Sequence, residues 1–155
     1  FCISWQLSEC MLRKQATAYG IDANRLIFAP RVSIADHLAR HVHADLFLDT
    51  QPYNAHTTCS DALWMGLPVL TCVGETFAAR VAGGLIHAAG LSELVTASLE
   101  DYEEKALQLA MNPAQVSSMK QKLMSERLTS SLFDTAAFAR ALEKIYQSMH
   151  ENTRS

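Results

Sequence analysis

Asp45-Leu46-Phe47-Leu48-Asp49, then Thr50-Gln51-Pro52-Tyr53-Asn54-Ala55-His56-Thr57-Thr58-Cys59-Ser60-Asp61, then Ala62-Leu63-Trp64-Met65 read in order as strand, loop and helix. The apolar run Leu46-Phe47-Leu48 suits a strand buried on both faces, as strands of parallel sheets are. The helix should begin at His56, Thr57 and Thr58. The first N–H groups of a helix have no internal partner, and the helix dipole places roughly half a positive charge beside them. Two hydroxyls and an imidazole next to such donors make a cradle for a phosphate. The alternative is that Thr57 or Thr58 is an ordinary helix cap.

The same alternation extends on both sides of this stretch. Strands are expected at residues 1–5, 26–29, 45–49, 68–72 and 93–96, and helices at 7–19, 35–43, 58–65 and 75–89. Gly20 and Gly66 stand where helices should end, and Pro68 follows Gly66 closely. Strands alternating with helices of this size predict an α/β fold, a Rossmann-like parallel sheet with helices on both faces. Ligands of such sheets bind beyond the carboxyl ends of the strands. The Gln51–Thr58 loop, the Pro30–Ser33 loop and the Val73-Gly74-Glu75 turn all fall there and should line one crevice.

The last third is all helical, with patterns over 99–111, 113–127 and 134–149 and no strand between them. Ser98 and Asp101 suit a helix start and Pro113 a first helical position. Phe138, Leu142, Ile145 and Met149 form an apolar stripe at helical spacing. It should pack on its own sheet or on a neighbouring domain; a free-standing partner-binding helix is the alternative. The expected organisation is a core over 1–98, C-terminal helices over 99–150 packing on that core and on a missing N-terminal lobe, and a tail at 151–155.

The chain has 155 residues, enough for one domain with a real core. Its net charge of −3 and lack of any basic run argue against a nucleic-acid partner. No apolar run approaches the ~20 residues of a membrane span, so no membrane partner is expected. Cys2, Cys10, Cys59 and Cys72 show no CxxC pair and no ligand spacing, so zinc is not expected, and reduced thiols in a cytoplasm are the simplest reading. The first residues, Phe1-Cys2-Ile3-Ser4-Trp5, read as the inside of a strand, which suggests a piece of a longer chain.

Among candidate site residues, His37 and His41 lie one helical turn apart, but the glutamate of a zincin motif is absent. His37 offers instead a flat surface on which a base can stack. Arg40, one turn along, can approach a phosphate or carbonyl oxygen; the plain alternative is a solvated surface arginine. Asp61, one turn on from Thr57, can accept from ribose hydroxyls or simply favour the helix dipole. No Gly-x-Gly-x-x-Gly and no P-loop lysine occur, which removes support for dinucleotide and ATPase readings. Cys59 and Ser60 lack a nucleophile-elbow setting. A flavodoxin- or receiver-like domain would need an acidic pocket or flavin loop that the sequence does not carry.

Several ordered motifs then point one way. The run Leu26–Thr50, Pro52-Tyr53-Asn54-Ala55-His56-Thr57-Thr58, Asp61-Ala62-Leu63-Trp64-Met65-Gly66-Leu67-Pro68-Val69-Leu70-Thr71, Gly74-Glu75-Thr76-Phe77-Ala78-Ala79-Arg80-Val81-Ala82 and Ser131-Leu132-Phe133-Asp134-Thr135 together resemble the O-linked N-acetylglucosaminyltransferase family, bacterial and SPINDLY-type members included. The resemblance covers about residues 20–149. It implies the C-terminal half of a GT-B fold, with tetratricopeptide repeats often placed ahead of it, and a cytoplasmic protein. It also implies inverting transfer of N-acetylglucosamine from UDP-GlcNAc to protein Ser or Thr, without metal or other cofactor. By the resemblance, the Val32 backbone would pair with the base edge, His37 would stack on or beside the base, and Arg40 would lie close to the nucleotide. His56, Thr57 and Thr58 would bind the diphosphate, Asp61 would hold ribose hydroxyls, and Tyr53 would face the sugar.

Two departures limit that transfer. Animal members carry a lysine three residues before the stacking histidine, where this chain has Ile34. The family's other lobe, with its candidate acid–base groups and acceptor contacts, is missing, so no catalytic base is assigned and the fragment alone should be inactive. SPINDLY-type relatives include fucosyltransferases that use GDP-fucose, and the diphosphate cradle does not discriminate between the two nucleotides. The Val32–Arg40 loop should discriminate, because an unpaired buried base edge costs about 1–3 kcal/mol. A non-catalytic scaffold module working through the last helix is the reading from a different class.

Overall fold

A computed structural model of the chain describes residues 2–153. It contains two compact units, residues up to Ser33 and residues from Ile34 onward. In the first, α1 (Cys2–Ala18) ends at Gly20, whose φ of +73° is the left-handed turn that glycine adopts without penalty. A 3-10 turn at Ala23–Arg25 follows, capped by the Asp22 side chain, which accepts from the Asn24 amide at 2.9 Å. Arg13 ties the unit together: it pairs with Glu9 at 2.9 Å, donates to the Ala23 carbonyl, and lies over the Phe28 ring at 4.9 Å.

Two expected strands are not found here. Residues 2–5 belong to α1, while residue 1 lies outside the described residues. A five-residue apolar run carries no period that separates strand from helix, and this one continues into good helix formers. Leu26–Ala29 is extended at its start (Leu26 φ −84°, ψ 106°) but forms no ladder.

The second unit holds the sheet. Its order is α2 (Ile34–Ala39), a 3-10 turn at Arg40–His43, β1 (Phe47–Leu48), α3 (Thr57–Trp64) and β2 (Val69–Cys72). Then come α4 (Val81–Ala88), β3 (Val95–Thr96), α5 (Leu99–Ala110), α6 (Pro113–Glu126) and α7 (Thr135–Thr153). The three strands are parallel in the order β1-β2-β3, with Phe47 opposite Val69 and Thr71 opposite Val95. Three of the five expected strands are therefore present, each shorter than its apolar run. The expected 35–43 and 75–89 helices are each divided between a 3-10 turn and an α-helix.

β2 lies in the middle of the sheet, and all four of its residues are buried. α3, α4 and α5 pack against it. Leu63, Leu70, Ile86, Leu91, Leu94 and Leu109 are the largest apolar side chains of the resulting core. At roughly 1.5–3 kcal/mol for each fully buried leucine or isoleucine, this cluster is the main source of stability. α6 adds Val116, Met119 and Leu123 to the same core, whereas α7 adds none and leaves Phe138, Ile145 and Met149 exposed.

Loop chemistry sets the strand and helix ends. Gly66 terminates α3 at φ +77°, with the Leu67 amide bonded back to Ala62 O at 2.9 Å. Ser98 and Asn112 cap α5 and α6 through their side chains. Two glycines give opposite expectations. A Cβ on Gly66 would sit in the left-handed region and 2.7 Å from Met124 Sδ, whereas one on Gly84, within α4, would meet open space. Gly66→Ala is expected to lose about 2 kcal/mol, and Gly84→Ala to gain about 0.5–1 kcal/mol, in urea unfolding. Equal effects from the two would contradict this packing.

Candidate functional site

β1 ends at Leu48, and the chain then folds into a tight loop, residues 49–56, before α3. Asp49 organises it. Its Oδ1 accepts from the Thr50 amide at 2.8 Å and the Ala55 amide at 2.7 Å, while Oδ2 accepts from Thr71 Oγ1 at 2.7 Å. Thr50 Oγ1 donates to Tyr53 O, and Asn54 Nδ2 donates to Thr50 O, both at 3.0 Å. The Gln51–Pro52 peptide is cis. Gln51 Nε2 ties the loop to the end of β2, donating to Cys72 O at 2.9 Å, and the Asn54 amide ties it to the segment beyond, donating to Ala78 O at 3.1 Å. The loop thus reaches Cys72 and Ala78, which flank the expected Val73-Gly74-Glu75 wall. The third expected wall, Pro30–Ser33, belongs to the other compact unit.

The loop delivers Tyr53 and His56 as a stacked pair, with ring centroids 4.9 Å apart and planes 21° from parallel. Phe77 lies edge-on to His56 at 6.2 Å. His56 Nε2 approaches Ala78 O at 3.3 Å; a carbonyl only accepts, so this nitrogen carries the hydrogen. Tyr53 and Phe77 are 63% and 82% exposed, which leaves an aromatic rim open to a ligand.

His56 is also the N-cap of α3, and it makes no side-chain capping bond. The Cys59 and Ser60 amides both bond to His56 O at 3.1 Å. Among the described residues the Thr57 and Thr58 amides and hydroxyls are thereby left for an outside acceptor. α5 and α6, by contrast, each receive a side-chain cap. Asp61, half-buried in the next turn of α3, accepts from the Met65 amide through its backbone carbonyl.

His37 and Arg40 form a second group. Arg40 Nη2 donates to His37 Nδ1 at 2.6 Å, which requires a neutral ring with its hydrogen on Nε2. His41, buried, donates from Nδ1 to the His37 and Leu38 carbonyls at 2.9 and 3.0 Å and meets the His37 ring edge-on at 5.0 Å. Among the described residues no cluster of three or more metal-ligating side chains occurs. Val32, exposed, lies in the first unit.

Sequence reasoning missed Asp49, Asn54, Phe77 and Tyr102. The signal for Asp49 was present, an acid immediately after an apolar strand and before a Thr- and Asn-containing loop. Tyr102 shows no such signal; its hydroxyl reaches back from α5 to donate to Asp49 O at 2.9 Å. Burial, followed by the Asp49 carboxylate and then Cys72, raises the Tyr102 phenol above its ordinary value.

This arrangement is a Rossmann-like α/β unit whose candidate ligand groups stand at the carboxyl ends of parallel strands. The chain belongs to glycosyl transferase family 41, which matches residues 5–142. It is 41% identical over 142 residues to the probable UDP-N-acetylglucosamine–peptide N-acetylglucosaminyltransferase SEC of Arabidopsis thaliana, covering 91% of this chain and 14% of that protein. The Caenorhabditis elegans UDP-N-acetylglucosamine–peptide N-acetylglucosaminyltransferase is 32% identical over 144 residues, 93% of this chain and 12% of its own length. Among solved structures, a mutant of the Thermobaculum terrenum O-GlcNAc transferase superposes with a TM-score of 0.84 at 32% identity, covering 92% of this chain and 28% of that one. The fold is that of the C-terminal half of a GT-B arrangement. The chain thus spans about a seventh of the length of the first of these relatives.

The start of α3 also carries a titration with a readable sign. Burial pushes the Cys59 thiol up to about 12 from 9.0, and the Asp49 carboxylate adds to the shift. The folded state therefore keeps a proton that the unfolded state releases near pH 9. Stability from this thiol is complete below pH 9 and is lost between pH 9 and 12, by up to about 1.4 kcal/mol per pH unit. Urea unfolding at pH 8 and pH 10.5 should show that slope in the wild type and a flatter one in Cys59→Ala. Identical slopes would contradict the buried placement.

Proposed function

We propose that this chain is the donor-binding part of an inverting glycosyltransferase that transfers N-acetylglucosamine from UDP-GlcNAc to Ser or Thr hydroxyls of proteins. The observation that carries the proposal is the uncapped start of α3, with free Thr57 and Thr58 amides and hydroxyls beside the Tyr53–His56 stack. The names of the relatives supply the nucleotide sugar and the peptide acceptor.

In this reading the diphosphate binds at Thr57, Thr58 and His56, where helix N–H groups and hydroxyls stabilise the charge that builds on the leaving group. Tyr53 faces the sugar and Asp61 the ribose. His37, bonded to Arg40, offers its face to the base, and the Val32 backbone pairs with the base edge. Asp49 and the groups around it take no part in bond making. The acceptor protein supplies the attacking hydroxyl, and the acid–base groups and acceptor contacts belong to the other lobe, so this segment alone binds donor and transfers nothing. The exposed stripe of α7 packs against that lobe in the whole protein, which the much greater length of the relatives accommodates. Among the described residues no helix is long and apolar enough to cross a membrane, and Cys10, Cys59 and Cys72 are free thiols; both fit a cytoplasmic enzyme.

Calorimetric and NMR titration of the chain with UDP and with GDP tests the proposal. UDP should bind more tightly and shift the amides of His37, Thr57 and Thr58. His37→Ala and Thr57→Val should each weaken UDP by about fivefold to tenfold, the cost of one lost stacking or hydrogen-bonding group. A preference for GDP would move the donor to a GDP-sugar such as GDP-fucose. Shifts that avoid α3 altogether would overturn the assignment.

A further inference from the structure

Asp49 is 8% exposed, and each of its polar groups is engaged. Its amide donates to Leu70 O at 3.0 Å, and its carbonyl accepts from Tyr102 at 2.9 Å. Its two carboxylate oxygens take the three bonds from Thr50, Ala55 and Thr71. One residue thus joins β1, β2, α5 and both ends of the loop that leads into α3. A buried carboxylate is costly to desolvate, and a core position next to a strand end is filled more cheaply by an apolar residue. Its retention calls for a local task, and the bond to Ala55 identifies it: Ala55 immediately precedes His56, the N-cap of α3.

We infer that Asp49 is a positioning residue for the donor site: its carboxylate closes the 49–55 loop onto β2 and thereby sets Tyr53 and His56 against the open first turn of α3. The inference rests on the proposed donor-binding role of that turn. Asp49 itself does not touch the ligand. The loop's own bonds, Thr50 Oγ1 to Tyr53 O and Asn54 Nδ2 to Thr50 O, fix its shape, and the carboxylate fixes where that shape stands. Charge assistance strengthens the 2.7 Å bond from the Ala55 amide, as it does those from Thr50 and Thr71.

The test uses the chain in three forms, wild type, Asp49→Ala and Asp49→Asn. Asparagine keeps an acceptor oxygen for the loop amides, so it should rescue what alanine loses. In wild type and Asp49→Asn, NMR should show ring-to-ring contacts between Tyr53 and His56, and UDP affinities within about threefold of each other. In Asp49→Ala the ring contact should vanish and UDP affinity should fall by at least about tenfold, while the shifts of Leu63 and Ile86 remain those of a folded core. Should Asp49→Ala not fold, the wild type decides: a scalar coupling across the hydrogen bond from the Ala55 nitrogen to the Asp49 carboxylate carbon is expected, and its absence overturns the inference. Equal losses in the alanine and asparagine variants, or none in either, would also overturn it. If the wild type binds neither UDP nor GDP, the donor reading fails, and the ring contact in the three forms still decides whether Asp49 positions the loop.

Discussion

The loop and helix start that form the candidate diphosphate site depend on the pairing of β2 with a strand on each side. Parallel strands all end at the same edge, so pairing β1, β2 and β3 in parallel places the loops that follow them side by side. That is why Asn54 and His56, which follow β1, can reach Ala78, which follows β2. Burial of all four β2 residues, and of Leu63 and Ile86 from the helices that pack on it, makes the arrangement rigid enough to present an ordered helix start. The strands themselves are short. Helix packing rather than the ladder therefore supplies most of the stability.

Against that frame, the polar groups near the strand ends divide into two kinds. Asp49, Thr71 and Tyr102 turn their hydrogen-bonding groups inward, to one another and to backbone, and Asn54 does so through Nδ2 while its Oδ1 is buried without a partner. Thr57 and Thr58 keep theirs open, beside the exposed rings of Tyr53 and Phe77. A buried polar cluster is stabilising only when its members are paired, and Asp49 meets that condition through both carboxylate oxygens. The inward set holds the outward set in place, which links the energetics of the core directly to the geometry of the candidate site.

Much of this was legible in the sequence because the signals were local. Gly66 and Pro68 mark the end of α3 by backbone chemistry, and His56-Thr57-Thr58 mark its start; the helix boundaries agree to within a residue. Ser98 and Pro113 do the same for α5 and α6, while the Asn112 cap emerges only from the structure. Residues 2–5 lie in a helix and not a strand because an apolar run that short has no period, and the helix it joins declares itself only further along. Leu26–Ala29 has strand composition but no ladder, since pairing depends on a partner and not on propensity. Tyr102 illustrates the remaining gap: its bond to Asp49 spans 53 positions, and no local pattern carries contacts of that range. His37 and Arg40 were placed one helical turn apart by spacing; the bond between their side chains, which fixes the tautomer of the ring, needs coordinates.

The central claim is that the first turn of α3 receives the diphosphate of a nucleotide sugar. A crystal structure of this chain with UDP addresses it most directly. Phosphate oxygens are expected within hydrogen-bonding distance of the Thr57 and Thr58 amides and hydroxyls, with the base against His37. A nucleotide bound elsewhere, with the α3 amides left to solvent, would contradict it.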